Sequence, residues 1–340
     1  MPHKPRPNPS MHVLAVLEDW FVRVRARFVI ATGHVPTVIP FRGLGSTSRI
    51  RILARVLYVH PDPATRKTRK AVRGWRAFRS VPVAHSTIRV RIDGHSVKLE
   101  SDRGGVVDTT IDLALSPGWH TVEMRTTKGS GWTSSEVFIV DPSTTRGVVC
   151  DVDDTVMITY LPRLVLAAWN TFVLDENARL AVPGMSGLME RISAGQPNVP
   201  TVYLSTGPWN IAPTLERFLS RHNYPKGPFL LTDWGATPER AFRSGREHKV
   251  SSLERLAQDF PSIEWILIGD DGQHDETIYG DFSRQHPRQV RAVAIRQLST
   301  PEAVLAGAPV VHPSPNTETV WVSGHTGTEI AEALAREGVI

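Results

Sequence analysis

The hydrophobic period of this chain changes once, at the polar junction Asp141-Pro142-Ser143-Thr144-Thr145, and that change limits its fold more than any other feature. Ahead of the junction, apolar and polar residues alternate. Ile50, Ile52, Ala54, Val56 and Tyr58 alternate with Arg49, Arg51 and Arg55; Ile88, Val90 and Ile92 alternate with Arg89 and Arg91. A period of two is that of a half-buried strand. Asp93-Gly94 is a two-residue hairpin signal before the run 95–99, and further strands are predicted near 106–113, 120–125 and 137–140. Short strands at regular spacing predict a small β-sandwich over 46–145. Beyond the junction, short apolar runs at 148–150, 201–205, 229–231, 265–268 and 290–295 alternate with helical patterns over 164–172, 183–192, 210–221, 248–259 and 274–283. That order predicts an α/β domain over 146–340, built on a doubly wound, mostly parallel sheet. The stretch 319–322 reads as one more strand and 328–336 as a helix packed on the sheet. A segment bounded by 158 and 183 follows the first apolar run and can fold over a crevice as a small cap.

Residues 1–45 read as an arm with an amphipathic helix over 11–30. Val13, Leu14, Leu17, Phe21, Val24 and Phe28 fall near one face, which either packs on its own domain or lies in a membrane interface. The net charge of +5 hides an asymmetry: residues 1–147 hold 23 Lys and Arg against 11 Asp and Glu, and the rest 16 against 23. A basic first half suggests an anionic partner, and an acidic second half fits a metal site. The insertion 62–79, rich in Lys and Arg around Trp75, reads as a solvated loop or a headgroup-binding segment. A single cysteine, Cys150, excludes an intrachain disulfide framework and points to a reducing compartment. No stretch approaches the roughly 18 apolar residues of a membrane span, and the basic, Pro-rich start is not a secretory signal. The expected location is cytoplasmic, with peripheral contact to membranes.

The apolar run Val148-Val149-Cys150 leads directly into Asp151-Val152-Asp153-Asp154-Thr155. Ligands of an open α/β sheet bind at the carboxyl ends of its strands, so D-x-D-x-T sets Asp151 and Asp153 at a strand tip and its first turn. Carboxylates this close repel one another unless a cation sits among them, and hard oxygen ligands suit Mg²⁺. The bland alternative is a helix start, where Asp and Thr serve as caps. What separates the two is whether partners follow at later strand ends. The run 201–205 ends in Ser205, ahead of Thr206-Gly207-Pro208, where a hydroxyl and turn amides can hold phosphoryl oxygens. Lys249 is expected at the start of a helix, where a cation is mildly unfavourable and is better explained by an anion it reaches. The run 265–268 ends in Gly269-Asp270-Asp271, with Asp275 close behind. Gly269 permits close backbone approach, and Asp270 can join Asp151 around one cation.

The ordered set Asp151-x-Asp153-x-Thr155, Ser205, Lys249 and Gly269-Asp270 resembles the four motifs of the haloacid dehalogenase superfamily. Within it, the stretches DVDDTV, YLSTGPWN, YPKGPFLLTDWG, HKVSSLERL, ILIGDDGQHDETIY and VRAVAIR are similar to the phosphatidate phosphatase family of the yeast actin-patch protein type. They span about 146–296. Asp271 departs from the small residue of many relatives, and either adds a metal ligand or caps the turn.

The resemblance implies a Mg²⁺-dependent phosphatidate phosphatase. Asp151 would be the nucleophile forming an aspartyl-phosphate, and Asp153 the acid and then the base. Ser205 and Lys249 would hold the phosphoryl oxygens. The metal would be held by Asp151, Asp153 through its carbonyl, and Asp270, with Asp271 or Asp275 direct or through water. The implied partners are phosphatidate or a related lipid phosphate and an anionic membrane surface met by the basic half; no nucleic-acid module is present. Two other readings stay open: a phosphatase for a soluble phosphomonoester, and a non-catalytic phosphatidate-binding module.

Overall fold

The computed structural model describes residues 27–60, 81–127, 129, 131–158, 180–194, 196, 198–232, 238–272, 274–299 and 319–340. The basic insertion 62–79, the helix expected over 164–172 and most of the expected cap lie outside them. So does the amphipathic helix of 11–30, apart from its last residues, which are helical. The chain divides into two compact units. One comprises Met1–Pro40, Ala54–Asp108 and Val122–Ser134; the other comprises Phe41–Leu53, Thr109–Thr121 and Ser135–Ile340.

Among the described residues, seven strands ahead of the junction form one mixed sheet. They are β1 (Val35–Gly45), β2 (Arg49–Val59), β3 (Thr87–Ile92), β4 (His95–Glu100), β5 (Val106–Asp112), β6 (Gly118–Thr126) and β7 (Thr133–Ile139), in the order β4-β3-β6-β7-β1-β2-β5. In the first unit, β3 pairs antiparallel with β4, joined at Asp93 (φ 43°) and Gly94 (φ 80°). Positive φ at both central positions is the turn whose twist suits a two-residue hairpin. Ile88, Val90 and Ile92 face the core and are buried, as are Val122 and Met124 of β6, whose register with β3 is antiparallel. In the second unit, the ends of β1 and β7 pair in parallel, Gly43 with Val137 through Gly45 with Ile139.

The second unit also holds a six-stranded sheet of β8 (Arg146–Asp151), β11 (Thr201–Pro208), β12 (Phe229–Thr232), β13 (Glu264–Asp270), β14 (Val290–Arg296) and β15 (Val320–Gly324). The order is β12-β11-β8-β13-β14-β15, and every pairing is parallel. Its strands are near-continuous apolar runs because both faces are covered; β8, β11 and β13 are buried almost throughout. A short ladder pairs β9 (Met157–Ile158) with β10 (Leu180–Ala181). The helices are α1 (Met185–Ser193), α2 (Ala212–Arg221), α3 (Pro238–Asp259), α4 (Asp275–Gln285) and α5 (Gly327–Arg336). A 3₁₀ turn, Trp209–Ile211, leads into α2. Each short helix buries an apolar stripe, such as Met185, Leu188, Met189 and Ile192 of α1 or Ile330, Ala331 and Leu334 of α5. No helix of the described residues is long and apolar enough to cross a membrane.

The expected fold class needs correction. An α/β chain with a doubly wound haloacid dehalogenase-like sheet, preceded by a β-sandwich, is not what forms; strand outweighs helix among the described residues. The alternating runs ahead of the junction do not split into two facing sheets. They pair into one mixed sheet, because parallel pairing of β1 with β7 joins what a sandwich would keep apart. Alternation reports one buried face per strand; it does not report which strand lies beside which.

Candidate active site

Because the six-stranded sheet is parallel, all its carboxyl ends lie along one edge, and β8 sits inside it between β11 and β13. Asp151 ends β8 and registers with Leu204, so Ser205 lies one residue beyond on the neighbouring strand. Asp270 ends β13, whose Ile268 registers with Cys150. Asp275 opens α4 directly afterwards. Gly269 makes that geometry possible. A Cβ there would stand 2.6 Å from Asp275 Oδ2 and 2.8 Å from Tyr279 Cε2, so any larger residue would push α4 and its first carboxylate away.

Asp151, Asp270 and Asp275 each place one carboxylate oxygen within 4.8 Å of the other two, and all three are fully buried. Lys249 closes the cluster. Its Nζ donates to Asp151 Oδ1 at 2.6 Å and to Asp275 Oδ1 at 2.5 Å, and its side chain is 1% exposed. The second oxygens of Asp151 and Asp275 are buried with no hydrogen-bond partner among the described residues. Asp270 Oδ1 accepts from the Gly272 amide at 2.6 Å. Burial pushes the Asp151 carboxyl well above the ordinary carboxylate range, against the pull of Lys249 and helped by Asp275 and Asp153. Burial also works against the charge on Lys249, but Asp151, Asp275 and Asp270 outweigh it and raise the ammonium above its usual range.

Within the described cluster three buried carboxylates face one ammonium, so full ionisation would leave surplus negative charges that a low-dielectric interior disfavours. A divalent cation would neutralise them and take up the orphaned oxygens of Asp151 and Asp275. An all-oxygen donor set is what a hard cation such as Mg²⁺ accepts. The residues fit the metal.

Asp153 and Ser205 form a second pair. Ser205 Oγ donates to Asp153 Oδ2 at 2.9 Å and accepts from the Gly207 amide at 2.9 Å. Ser205 therefore orients the second carboxylate, a contact that the sequence did not suggest. Asp154 follows with φ 57°, a left-handed conformation that turns the chain sharply behind Asp153. The buried Thr155 Oγ1 has no hydrogen-bond partner among the described residues.

Four of the residues singled out from the sequence thus meet at one point, Lys249 bonded to Asp151 and Asp275 with Asp270 within 4.8 Å of both carboxylates, while Ser205 on the adjacent strand end holds Asp153. The carboxylate of Asp153 stands outside the three-carboxylate cluster. Asp271 also stands outside it, and its Oδ1 accepts from the Leu298 amide at 3.0 Å, tying β13 to the segment after β14. Lys249 is not at a helix start. The helix runs over Pro238–Asp259, and the lysine lies near its middle, so the argument from helix polarity does not apply. Its burial between two carboxylates is the actual reason for a cation there.

Arg296 was missed. It is buried, closes β14, and donates from Nη1 to the Asp154 carbonyl at 2.7 Å and from Nε to the His325 carbonyl at 3.3 Å. A signal existed: an arginine ends the apolar run 290–295 at the same sheet edge as the acids.

A model described as phosphatidate phosphatase APP1, catalytic domain, matches residues 146–297. The chain is 25% identical over 151 residues to phosphatidate phosphatase APP1 of Saccharomyces cerevisiae, covering 44% of this chain and 25% of that protein. An uncharacterized protein of Schizosaccharomyces pombe is 24% identical over 165 residues, covering 48% and 27%. The chain spans about a quarter of the length of these curated relatives. Among solved structures, a carbohydrate acetylesterase from Xanthomonas citri aligns with 78% of this chain and 70% of its own, at 8% identity and a TM-score of 0.27. A likeness that slight carries no argument about fold or chemistry.

Proposed function

We propose, from the premise that residues 146–297 belong to the phosphatidate phosphatase family as a catalytic domain, that this chain hydrolyses phosphatidate to diacylglycerol and phosphate. The observation that carries the reading is the buried cluster of Asp151, Asp270 and Asp275 around Lys249, inside the matched residues.

Mg²⁺ would be held by Asp151, Asp270 and Asp275, and would supply charge neutralisation between an anionic nucleophile and an anionic phosphate. Asp151 attacks phosphorus through a carboxylate oxygen, forming an aspartyl-phosphate as the bond to the glycerol oxygen breaks. Asp153, oriented by Ser205, gives a proton to that departing oxygen and later takes one from the water that hydrolyses the acyl phosphate. Lys249 holds Asp151 in place and supplies fixed positive charge beside the phosphoryl group. Two carboxylates in one site can divide these roles because their surroundings differ: Asp151 faces an ammonium and other carboxylates, Asp153 a hydroxyl. The lipid reaches the enzyme at a membrane surface, which the excess of Lys and Arg in residues 1–147 favours.

The deciding experiment is phosphate release from phosphatidate in mixed micelles, with Mg²⁺ or EDTA, for wild type and Asp151→Asn. Release that needs the metal and disappears in the variant is expected. Release surviving Asp151→Asn would sink the nucleophile. Turnover of a small phosphate ester but not the lipid would move the reading to a soluble phosphomonoester, and vesicle binding without any turnover would make the domain a phosphatidate-binding module.

A further inference from the structure

The outward face of β3, β4 and β6, within the first compact unit, carries a row of like charges that folding does not explain. Arg89 registers directly with Lys98 on one side and with Arg125 on the other, so three cations stand side by side across three strands. Strands lie about 4.8 Å apart, which puts the row within roughly 10 Å. Like charges directly opposite one another destabilise a sheet. Arg91 adds a fourth cation two residues along, registering with Ser96 and Glu123. Among the described residues no carboxylate lies within ion-pairing distance of Arg89, Arg91, Lys98 or Arg125, and Glu100 on the same face is engaged by His85 at 3.2 Å.

Trp132 sits among these cations. The guanidinium carbon of Arg91 is 4.1 Å from its ring centroid and that of Arg125 is 4.6 Å. Both guanidiniums are held against the indole, which orders them without neutralising them. Guanidinium groups so fixed present forked donors suited to phosphate oxygens. The opposite face of the same strands supplies core residues, so among the described residues the charged face is the one turned away from the core.

We propose that this face docks on a bilayer of anionic phospholipid. The charge is complementary, the donors suit phosphate, and a half-buried indole among arginines is the residue pattern of a membrane–water interface. The inference rests on the lipid-phosphate reading above for its choice of partner, but not on turnover for its test.

The test uses the full chain and vesicles of equal parts phosphatidylcholine and phosphatidylserine, neither being the proposed substrate. Each Lys or Arg near an anionic leaflet contributes roughly fivefold to binding, so Arg89→Ser/Lys98→Ser/Arg125→Ser should weaken co-sedimentation on the order of 100-fold. Wild-type binding should fall steeply with added salt. A second triple variant, Arg221→Gln/Arg288→Gln/Arg336→Gln, removes the same charge from exposed positions elsewhere and should change binding less than about fivefold. Removing mutual repulsion should leave the thermal midpoint of the first variant unchanged or raised, and Trp132→Ala tests the face independently should that protein not fold. Hydrolysis of a monomeric, short-chain phosphatidate should be the same in wild type and both triple variants. Equal loss in the two triple variants, vesicle binding intact without the row, or retention on a single-stranded oligonucleotide with none on vesicles would each overturn the proposal. Absence of hydrolysis in wild type would overturn the catalytic reading alone and leave the vesicle result to decide the face.

Discussion

Arg296 donates its Nη1 to the main-chain carbonyl of Asp154 at 2.7 Å, across 142 residues of sequence. The bond spans two strand ends of one parallel sheet, from the close of β14 to the turn after β8. Asp154 is in the left-handed region, where a non-glycine residue needs support from its surroundings. The arginine thereby stabilises the turn that presents Asp153.

Replacing that arginine tests whether the turn must be held. Arg296→Gln loses a charge-assisted bond of about 1.5–3 kcal/mol. If the turn then relaxes, kcat should fall about 10- to 100-fold while KM changes little, as expected of a group that acts through the turn. Arg296→Lys should recover only part of the rate, since one ammonium does not reach both carbonyls as a guanidinium does. Steady-state kinetics on both variants check this; a change confined to KM would contradict it.

Lys249 gives a prediction on stability. Lys249→Met leaves Asp151 and Asp275 buried without their ammonium, and breaking a buried pair in this way costs about 3–5 kcal/mol. Urea unfolding in EDTA should show that loss. Combining Lys249→Met with Asp275→Asn should restore much of the stability and none of the activity, because it removes an uncompensated charge without replacing a ligand.

The site was more legible in the sequence than the fold. Each acid stands at the end of an apolar run, and strand ends of a parallel sheet converge on one edge, so order along the chain was enough to bring Asp151, Ser205 and Asp270 together. The basic residue between them was found for a wrong reason. The apolar pattern around Lys249 hid the first ten residues of α3, and the lysine near that helix's middle is buried because carboxylates from other elements reach it. The architecture ahead of the junction was not legible, because parallel pairing of β1 with β7 is a long-range choice that alternation within each strand does not encode. Arg296 ends its strand like the acids, yet its partner is a main-chain carbonyl, and carbonyls leave no mark in a sequence.

Gly269 is a steric test of the metal cluster. In Gly269→Ala the new methyl would stand 2.6 Å from Asp275 Oδ2, so the carboxylate and the start of α4 must move outward. Metal affinity should fall at least tenfold, in line with losses on disturbing the shell around a metal site. Mg²⁺ titration of activity, together with direct calorimetric binding, separates this from a general loss of folding. A variant with unchanged Mg²⁺ dependence would show that Asp275 is not needed in the ligand set.

The shifted carboxyl of Asp151 predicts how stability depends on pH when metal is withheld. Burial first, then the neighbouring carboxylates, raise its folded-state pKa above the unfolded value of about 3.8 despite Lys249. Between those two values the native state binds more protons than the unfolded chain, so stability falls as pH rises through that window. Asp151→Asn cannot titrate. In EDTA, the difference in unfolding free energy between Asp151→Asn and wild type should therefore grow in favour of the variant as pH increases from about 4. Saturating Mg²⁺ should reverse the comparison, because the carboxylate is then a ligand that the folded state alone assembles and the amide is a poorer one. Urea titrations at several pH values, with EDTA and with Mg²⁺, read both halves. A difference that stays constant with pH in EDTA would mean that Lys249 alone fully compensates Asp151, and the argument that the buried cluster lacks a cation would lose its electrostatic basis.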